Sequence, residues 1–296
     1  MKKLVNYVAC LLIVAGLSLT TNNEANAQTT RRVNNNPAAA APFTTIQAAV
    51  NAAVAGDIIL VEGSVTQYAG FTLNKQLTIT GPGYFFNQGT PQNPVNQANN
   101  LTASILGGMF LANGCSGSTI QGFSGLGINI ASSQPVNSTF NNITIRRNNN
   151  VSINFDITGS TTYSATGWLI TQNYDILTSF TGTTTNTITA VVSHNYCSNQ
   201  NFSNLSYRAN VSYFNNIINN AILVGNFGIP SSAQIHNNIF RGSGTYTHIS
   251  LGSTGSSASH NNNVYENTNI STTYVPQINN SGLNNITATN GNVIST

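Results

Sequence analysis

An asparagine that recurs at nearly constant spacing constrains the fold of this 296-residue chain more than any other feature. Six segments share the pattern, in which a small or apolar residue stands four positions before a central asparagine. The central residues lie 24, 22, 20, 22 and 24 residues apart and are Asn149, Asn173, Asn195, Asn215, Asn237 and Asn261. A repeat of this length is one structural unit, which buries its core only by stacking on its neighbours.

The repeat predicts a solenoid whose coils contain short strands joined by tight bends. Coils stack at the strand spacing of about 4.8 Å, so equivalent residues form columns. Asparagine suits the bends because it tolerates the left-handed backbone conformation, and its side-chain amide can bond to the next asparagine in the column. Leucine-rich repeats have a similar period, but their leucine frame is absent here. We therefore predict an all-β parallel β-helix with coils of about 22 residues and the six asparagines as its structural ladder.

One amphipathic helix, from about residue 44 to 55, precedes the first strand in this prediction. The Thr44–Gln47 segment fits a capping box, in which the Thr44 hydroxyl accepts from the Gln47 amide and the Gln47 side chain reaches back. Apolar residues then follow at helical spacing, and Gly56 can supply a left-handed stop. After Asp57 the hydrophobic period changes to two, and no second helix is predicted.

The N-terminus is predicted to be an export signal. Lys2 and Lys3 precede an apolar run, and the small-residue pattern Ala25–Ala27 stands just before Gln28. The run of 16 residues is short of the ~20 that span a bilayer, which argues against the alternative of a membrane anchor. We expect a signal peptide at 1–27, a flexible leader at 28–42 and the β-helix domain at 43–296. The mature chain is then secreted, periplasmic or at the cell surface, with no transmembrane segment.

Five segments resemble the right-handed parallel β-helices of the pectin-lyase-like superfamily: Thr45–Ala53, Gly56–Val61, Leu77–Gly81, Ser118–Phe123 and Asn142–Asn148. The resemblance implies a single-stranded right-handed β-helix with an amphipathic helix capping its first coil. The superfamily includes pectate lyases, pectin lyases, polygalacturonases, phage tailspikes and non-catalytic surface proteins. It therefore implies a fold and leaves the activity open.

The scarcity of charge restricts the function. Only 15 of 296 residues are charged, against 48 asparagines. A nucleic-acid binder needs a clustered basic surface, so that class is excluded. A glycoside hydrolase needs two carboxyl groups about 5 to 9.5 Å apart. Asp156 and Asp175 fall in different parts of their coils, and the Asn-Thr-Asp and Gly-His-Gly signatures of polygalacturonase-like enzymes are absent.

A pectate-lyase-like polysaccharide lyase or hydrolase, acting on an acidic polysaccharide, is the catalytic alternative. A lyase needs carboxylates that hold Ca²⁺ and a basic side chain that abstracts the proton beside the uronate carboxylate. The candidate catalytic residues are Asp156, Asp175, Arg146, Arg147 and Arg208. No acids cluster around these arginines in the sequence, and Ca²⁺ is the one cofactor that this alternative implies. Solvent-facing arginines are the simpler interpretation.

Aromatic residues are the candidate glycan-binding groups. The position before the central asparagine is His194, Phe214, His236 and His260 in four consecutive repeats. The next position after the asparagine holds Tyr174 and Tyr196, and Trp168 is the only tryptophan. These rings form either a stabilising stack or a platform for sugar rings. The histidines are spaced too widely for a shared metal ion, apart from His236 and His260, and no metal site is predicted.

These observations predict an exported, non-catalytic β-helix that binds glycans or serves as a cell-surface or adhesive structural module. Its expected partner is a polysaccharide or a cell-surface glycan. The last coil would leave an unpaired strand edge, which a protein partner can cover. Cys115 and Cys197 are interpreted as small buried groups, with one disulfide between them as the alternative.

Overall fold

The structure is a computed structural model that describes twelve stretches of the chain. These are residues 28–83, 101–130, 134–154, 162–180, 187–198, 202–204, 209–219, 223–225, 234–241, 249–251, 259–266 and 293–295. The predicted signal peptide at 1–27 and the candidates Asp156 and Arg208 lie outside them.

The described residues form one α-helix, one short 3-10 helix and twenty-four strands. The helices are α1 (Ile46–Ala52) and the 3-10 helix Pro37–Ala39. The strands are β1 (Thr30–Val33), β2 (Ile58–Val61), β3 (Tyr68–Leu73), β4 (Thr78–Thr80), β5 (Ile105–Leu111), β6 (Thr119–Gln121), β7 (Ser124–Ile130), β8 (Ser138–Thr139), β9 (Thr144–Arg146), β10 (Asn149–Asn154), β11 (Tyr163–Thr171), β12 (Tyr174–Phe180), β13 (Thr187–Ser193), β14 (Tyr196–Ser198), β15 (Phe202–Asn204), β16 (Ala209–Phe214), β17 (Ile217–Asn219), β18 (Leu223–Gly225), β19 (Gln234–His236), β20 (Ile239–Arg241), β21 (Ile249–Leu251), β22 (Ser259–Asn261), β23 (Val264–Glu266) and β24 (Val293–Ser295).

All strand pairs between these elements are parallel, and they build two long sheets. The first sheet has the order β1-β2-β4-β6-β9-β11-β13-β16-β19-β22, with β8 beside the start of β11. The second has the order β24-β23-β20-β17-β14-β12-β10-β7-β5-β3, and β15, β18 and β21 branch from β12. The chain passes from a first-sheet strand to a second-sheet strand in each coil. This arrangement confirms the predicted all-β parallel solenoid.

The core is a set of columns, one residue per coil. Eight strands of the first sheet, from β2 to β19 along the stack, each turn one residue inward at the same register position. They are Ile59, Ile79, Ile120, Ile145, Ile170, Val192, Tyr213 and Ile235, all at most 1% exposed. Burying side chains of this kind contributes about 1.5–3 kcal/mol each, which makes stacking the main source of stability.

The bend between the two sheets uses two adjacent positions. The first position has a left-handed backbone, and its occupants are Gly122, Arg147, Gln172, His194, Asn215, Asn237 and Asn262. The second position holds the buried Phe123 in the first of these coils. In each of the six following coils it holds a buried asparagine. They are Asn148, Asn173, Asn195, Asn216, Asn238 and Asn263, and together they form the asparagine ladder.

Each amide of the asparagine ladder bonds both to the next coil and to the backbone. The Asn195 Oδ1 accepts from the backbone N–H of Asn173 at 2.9 Å and from its Nδ2 at 3.0 Å. The Asn195 Nδ2 donates in turn to the Asn216 Oδ1 at 3.1 Å and to the Ile170 carbonyl at 3.0 Å. These buried polar groups are therefore satisfied, and unsatisfied ones would cost about 1–3 kcal/mol each.

The ladder predicted from the repeat shares only part of its residues with the asparagine ladder. Asn173 and Asn195 lie in it, whereas the exposed Asn215 and Asn237 occupy the left-handed position one residue earlier. Asn149 comes one residue after the ladder, at the start of β10. Asn261 ends β22 two residues before Asn263. Both bend positions favour asparagine, for different reasons, so a pattern of consecutive asparagines does not show which one is buried.

Helix α1 caps the N-terminal end of the second sheet, but its own cap differs from the predicted box. The Thr45 Oγ1, rather than that of Thr44, accepts from the backbone N–H of Ala48 at 3.2 Å. The Gln47 side chain pairs with β3 instead: its Oε1 accepts from the Thr72 N–H at 2.8 Å and its Nε2 donates to the Thr72 carbonyl. This amide therefore bonds the strand edge as a neighbouring strand would. The helix is shorter than predicted because Ala53 is already extended.

The segment predicted as a flexible leader contains a strand of the first sheet. Strand β1 pairs with β2, and two ion pairs join them: Arg31 Nε to Asp57 Oδ2 at 2.9 Å, and Arg32 Nη2 to Glu62 Oε1 at 2.6 Å. The Asn34 Nδ2 also donates to Glu62 at 2.9 Å. The leader prediction was wrong because β1 is charged rather than apolar, so hydrophobic periodicity does not reveal it.

Both cysteines of the solenoid are free and buried. Burial raises the pKa of the Cys115 thiol to about 12, and it raises the pKa of Cys197 as well. The Cys197 Sγ contacts the Ile176 carbonyl in the preceding coil. The two residues act as small core groups, in agreement with the first of the two interpretations from the sequence.

The asparagine ladder can be tested at the coil where it begins. We expect Asn148→Ala to lower the free energy of unfolding by about 3 kcal/mol, since it removes the acceptor of the Phe123 N–H and the donor to the Ile120 carbonyl. Asn149→Ala is the matched control and should change stability by less than about 0.5 kcal/mol. Urea denaturation of both variants measures the difference; equal losses would contradict this assignment of the ladder.

The pairing of β1 with β2 should weaken in acid. Burial alone would raise the pKa of Asp57, but hydrogen bonds from the amides of Val54 and Thr29 and from Arg31 outweigh it and lower the pKa. For Glu62, the hydrogen bond from Asn34 is the largest cause and lowers the pKa, burial opposes it, and Arg32 lowers the pKa further. Both carboxylates therefore stabilise the fold above their unfolded pKa values near 4, and this stabilisation is lost as the pH falls through the folded values.

We accordingly expect the Tm of the wild-type chain to fall as the pH is lowered from about 5 to about 3. The Asp57→Asn, Glu62→Gln double variant should have a lower Tm at neutral pH and a flatter pH dependence. Thermal unfolding followed by circular dichroism measures both quantities. An identical pH dependence in the double variant would show that other carboxylates cause the acid effect.

Candidate functional site

The most distinctive surface lies where the chain bends from the first sheet to the second in the coils of β9, β11 and β13. We call it the corner and define it by Arg146, Arg147, Gln172, Tyr174 and Tyr196. The asparagine ladder runs directly beneath it, because Asn148, Asn173 and Asn195 are the buried residues of the same bends. The corner is therefore built on a rigid support.

Two tyrosines form a parallel stack at the corner. Tyr174 and Tyr196 are register partners in β12 and β14, with ring centroids 4.8 Å apart and ring planes inclined by 11°. Both side chains are half-buried. The pKa of Tyr174 is raised, first by desolvation and then by the charge of Asp175 and by Tyr196. The stack is thus an aromatic surface with polar edges.

Two adjacent arginines form the other half of the corner. The Arg146 Nε donates to the Gln121 Oε1 of the preceding coil at 2.8 Å. The Arg147 Nε donates to the Gln172 Oε1 of the following coil at 3.0 Å. The Gln121 Nε2 also donates to the Thr80 hydroxyl, which fixes that glutamine. Neutral amides therefore orient both guanidinium groups without compensating their charge.

The predicted ring column of His194, Phe214, His236 and His260 is not one column. Phe214 and His236 are register partners with ring centroids 5.7 Å apart and an edge-to-face angle of 84°. His194 occupies the left-handed bend position, beside Asn215, and His260 lies opposite Ile235. The repeats differ by a residue around the bend, so the shared sequence position did not correspond to a shared register.

Trp168 is a core residue and is not available to a glycan. Its side chain is 1% exposed, and its Nε1–H donates to the Phe140 carbonyl at 2.6 Å. The residues around Trp168 in the sequence form no polar pattern that distinguishes a buried ring from an exposed one. The partner of its indole N–H is a backbone group 28 residues earlier, which only the stacking of coils brings near.

The candidate acidic groups do not assemble into a recognisable catalytic centre among the described residues. Asp175 adopts a left-handed backbone beside Tyr174, while Asp57 and Glu62 bind the arginines of β1 at the N-terminal end of the solenoid. Within the described stretches, no three His, Cys, Asp or Glu side chains are grouped as metal ligands would be. The carboxylate set that calcium-dependent elimination requires is therefore not found in this part of the chain.

Gln172 is the corner residue that the sequence did not single out. What distinguishes Gln172 is that it occupies the left-handed bend position, where glycine and asparagine are the favoured residues. That column becomes visible only when the coils are aligned by their register.

Comparison with protein-family models, with curated proteins and with solved structures finds no match to this chain. The search for membrane-spanning helices, made over the described residues, finds none of sufficient length and hydrophobicity.

Proposed function

We propose that this protein is an exported, non-catalytic β-solenoid that binds glycans at the corner. The observation that carries the proposal is the parallel stack of Tyr174 and Tyr196 on the protein surface. The facing sides of the two rings cover each other, so the stack presents its ring edges and its hydroxyl groups to a sugar. The ring edges can contact the C–H groups of the sugar, and the hydroxyls can bond its hydroxyl groups. Export is proposed from the signal-peptide pattern at residues 1–27.

The rigidity of the tyrosine stack supports binding. A side chain that becomes ordered on binding costs about 0.5–1.5 kcal/mol, and rings that are already stacked and half-buried avoid most of that cost. The surrounding surface is polar and carries amide groups from Asn149, opposite Tyr174, and from Gln172. Sugar hydroxyls can exchange hydrogen bonds with such amides.

We further propose that the chain belongs to the pectin-lyase-like superfamily. The parallel coils, the capping helix α1 and the asparagine ladder support this assignment. Membership would not by itself imply an enzyme, because function depends on the site rather than on the fold.

Loss of the tyrosine stack should abolish glycan retention. We expect the Tyr174→Ala, Tyr196→Ala double variant to migrate freely in native gels that contain a polysaccharide which retards the wild-type mature chain. Phe110→Ala is the matched control: this ring is 38% exposed on the second sheet, three strands from Tyr174. Circular dichroism melting would verify that both variants are folded. The proposal is refuted if dextran, polygalacturonate, alginate and dextran sulfate all fail to retard the wild type.

The catalytic alternative predicts turnover of acidic polysaccharides, and we expect none. Among the residues that the structure describes, Asp175 is the one carboxylate shown to act on the tyrosine stack, and hydrolysis of a glycosidic bond needs a pair. The measurement is the absorbance of unsaturated uronide products from polygalacturonate and alginate, with and without Ca²⁺. Turnover that disappears in Arg147→Ala would establish a lyase and overturn the non-catalytic proposal.

A further inference from the structure

We infer that Arg146 and Arg147 form an anion-binding site, which takes the carboxylate or sulfate groups of the bound glycan. The inference rests on the proposed function and specifies the ligand: a linear glycan that carries oxyanions. It starts from the charge balance of the corner. The ion pairs Arg31–Asp57 and Arg32–Glu62 lie at the N-terminal end of the solenoid, and neither corner arginine takes part in them.

The contacts of the two arginines leave their anion-binding atoms unused. Each side chain donates a hydrogen bond through Nε to a glutamine oxygen, and its two terminal nitrogens have no hydrogen-bond acceptor among the described residues. Terminal guanidinium N–H groups match carboxylate and sulfate oxygens in geometry, and such charge-assisted bonds are about twice as strong as neutral ones. Gln121 and Gln172 therefore orient two cations that an external anion can neutralise.

The backbone of the bend gives an independent reason to assign a function to these positions. A left-handed conformation costs most residues roughly 1–2 kcal/mol relative to glycine, and asparagine tolerates it better. Glycine or asparagine occupies the left-handed bend position in the coil before Arg147 and in the three coils after His194. Arg147, Gln172 and His194 are the exceptions. They lie in three successive coils, and the coils of Gln172 and His194 carry the tyrosine stack. These three positions are therefore strained, and each carries a polar side chain larger than that of asparagine.

The arrangement also indicates the direction of the ligand. Arg146 contacts the coil before it and Arg147 the coil after it, so positive charge is spread along the solenoid axis. Asn149, two residues after Arg147, is the register partner of Tyr174. A glycan that packs on the tyrosine stack can therefore place neighbouring oxyanions on the arginines. Asp175 follows Tyr174 directly in β12 and would repel an anion that bound beside it.

The binding test compares three polymers on the full mature chain by isothermal titration calorimetry at low and at physiological ionic strength. Polygalacturonate supplies carboxylates, dextran sulfate supplies sulfates, and dextran is neutral. We expect a Kd for at least one polyanion that is well below that for dextran and that rises with salt. Tighter binding of only one polyanion identifies the oxyanion and supports the inference. Equal affinity for dextran and both polyanions would overturn it.

Variants of the two corner arginines show whether a change in Kd occurs without a loss of folding stability. Arg147→Asn removes the charge but suits the left-handed backbone, so we expect Kd to rise about tenfold while Tm is unchanged or higher. Arg146→Gln should raise Kd similarly. Arg241→Gln is the control for net charge, because Arg241 lies on β20 opposite Glu266, and it should leave Kd unchanged. Wild-type affinity in both corner variants would overturn the inference.

The same experiment distinguishes this inference from the proposed function. If the tyrosine double variant loses binding and the arginine variants keep it, the glycan platform is correct and the anion site is wrong. If the arginine variants lose binding and the tyrosine variant keeps it, the anion site is correct and the platform is wrong. Double-stranded DNA that binds as tightly as the better polyanion would overturn the choice of a glycan.

Discussion

The hydrogen bond from one ladder asparagine to the next is the interaction on which the rest of the structure depends. It satisfies a buried amide in every coil from Asn148 to Asn263, at a bend where the backbone turns too sharply for strand pairing alone. Because each amide bonds both the next coil and the backbone, it fixes the position of the bend along the chain. The strands on either side then meet in register, and the isoleucine column on one side follows from that register.

The bend also contains positions where the residue present is not the type that the backbone conformation favours. Asn215, Asn237 and Asn262 have the residue type that a left-handed backbone favours. Arg147 is not of that residue type, although the next residue, Asn148, belongs to the same asparagine ladder. The difference lies in what faces solvent: the corner carries the tyrosine stack, and the later bends do not. A substitution that improves the backbone at Arg147 would remove a charge from the corner.

The sequence was sufficient for the parts of the fold that depend on periodicity. The spacing of asparagines indicated stacked coils with parallel strands, and helical spacing at Ile46 and Val50 indicated the cap. It was insufficient wherever two physical causes select the same residue type. Asparagine is favoured at both bend positions, so the sequence pattern placed Asn215 in the ladder, whereas the structure has Asn216 there. It also missed β1, whose register rests on charges from residues 26 and 30 positions later.

The site was less predictable than the fold because it depends on alignment between coils. The alignment of Tyr174 with Tyr196 was predictable, since both follow a residue of the asparagine ladder and pair in register. Their role in binding stays a prediction. The histidines were misaligned because later coils shift by a residue at the bend. Trp168 required knowledge of which side of β11 is inward, and its strand contains an irregularity between Ala165 and Trp168 that breaks simple alternation.

The asparagine ladder has a polarity. In every step the earlier coil donates, through its backbone N–H and its Nδ2, and the later coil accepts through its Oδ1. The two ends of the stack are therefore chemically different: the N-terminal end offers an acceptor, which the N–H of Phe123 occupies. During synthesis from the N-terminus, each finished coil holds donors that only the following coil can satisfy. Addition of coils thus completes the preceding bend each time, and a chain shortened from its C-terminus would expose unpaired donors at its last bend.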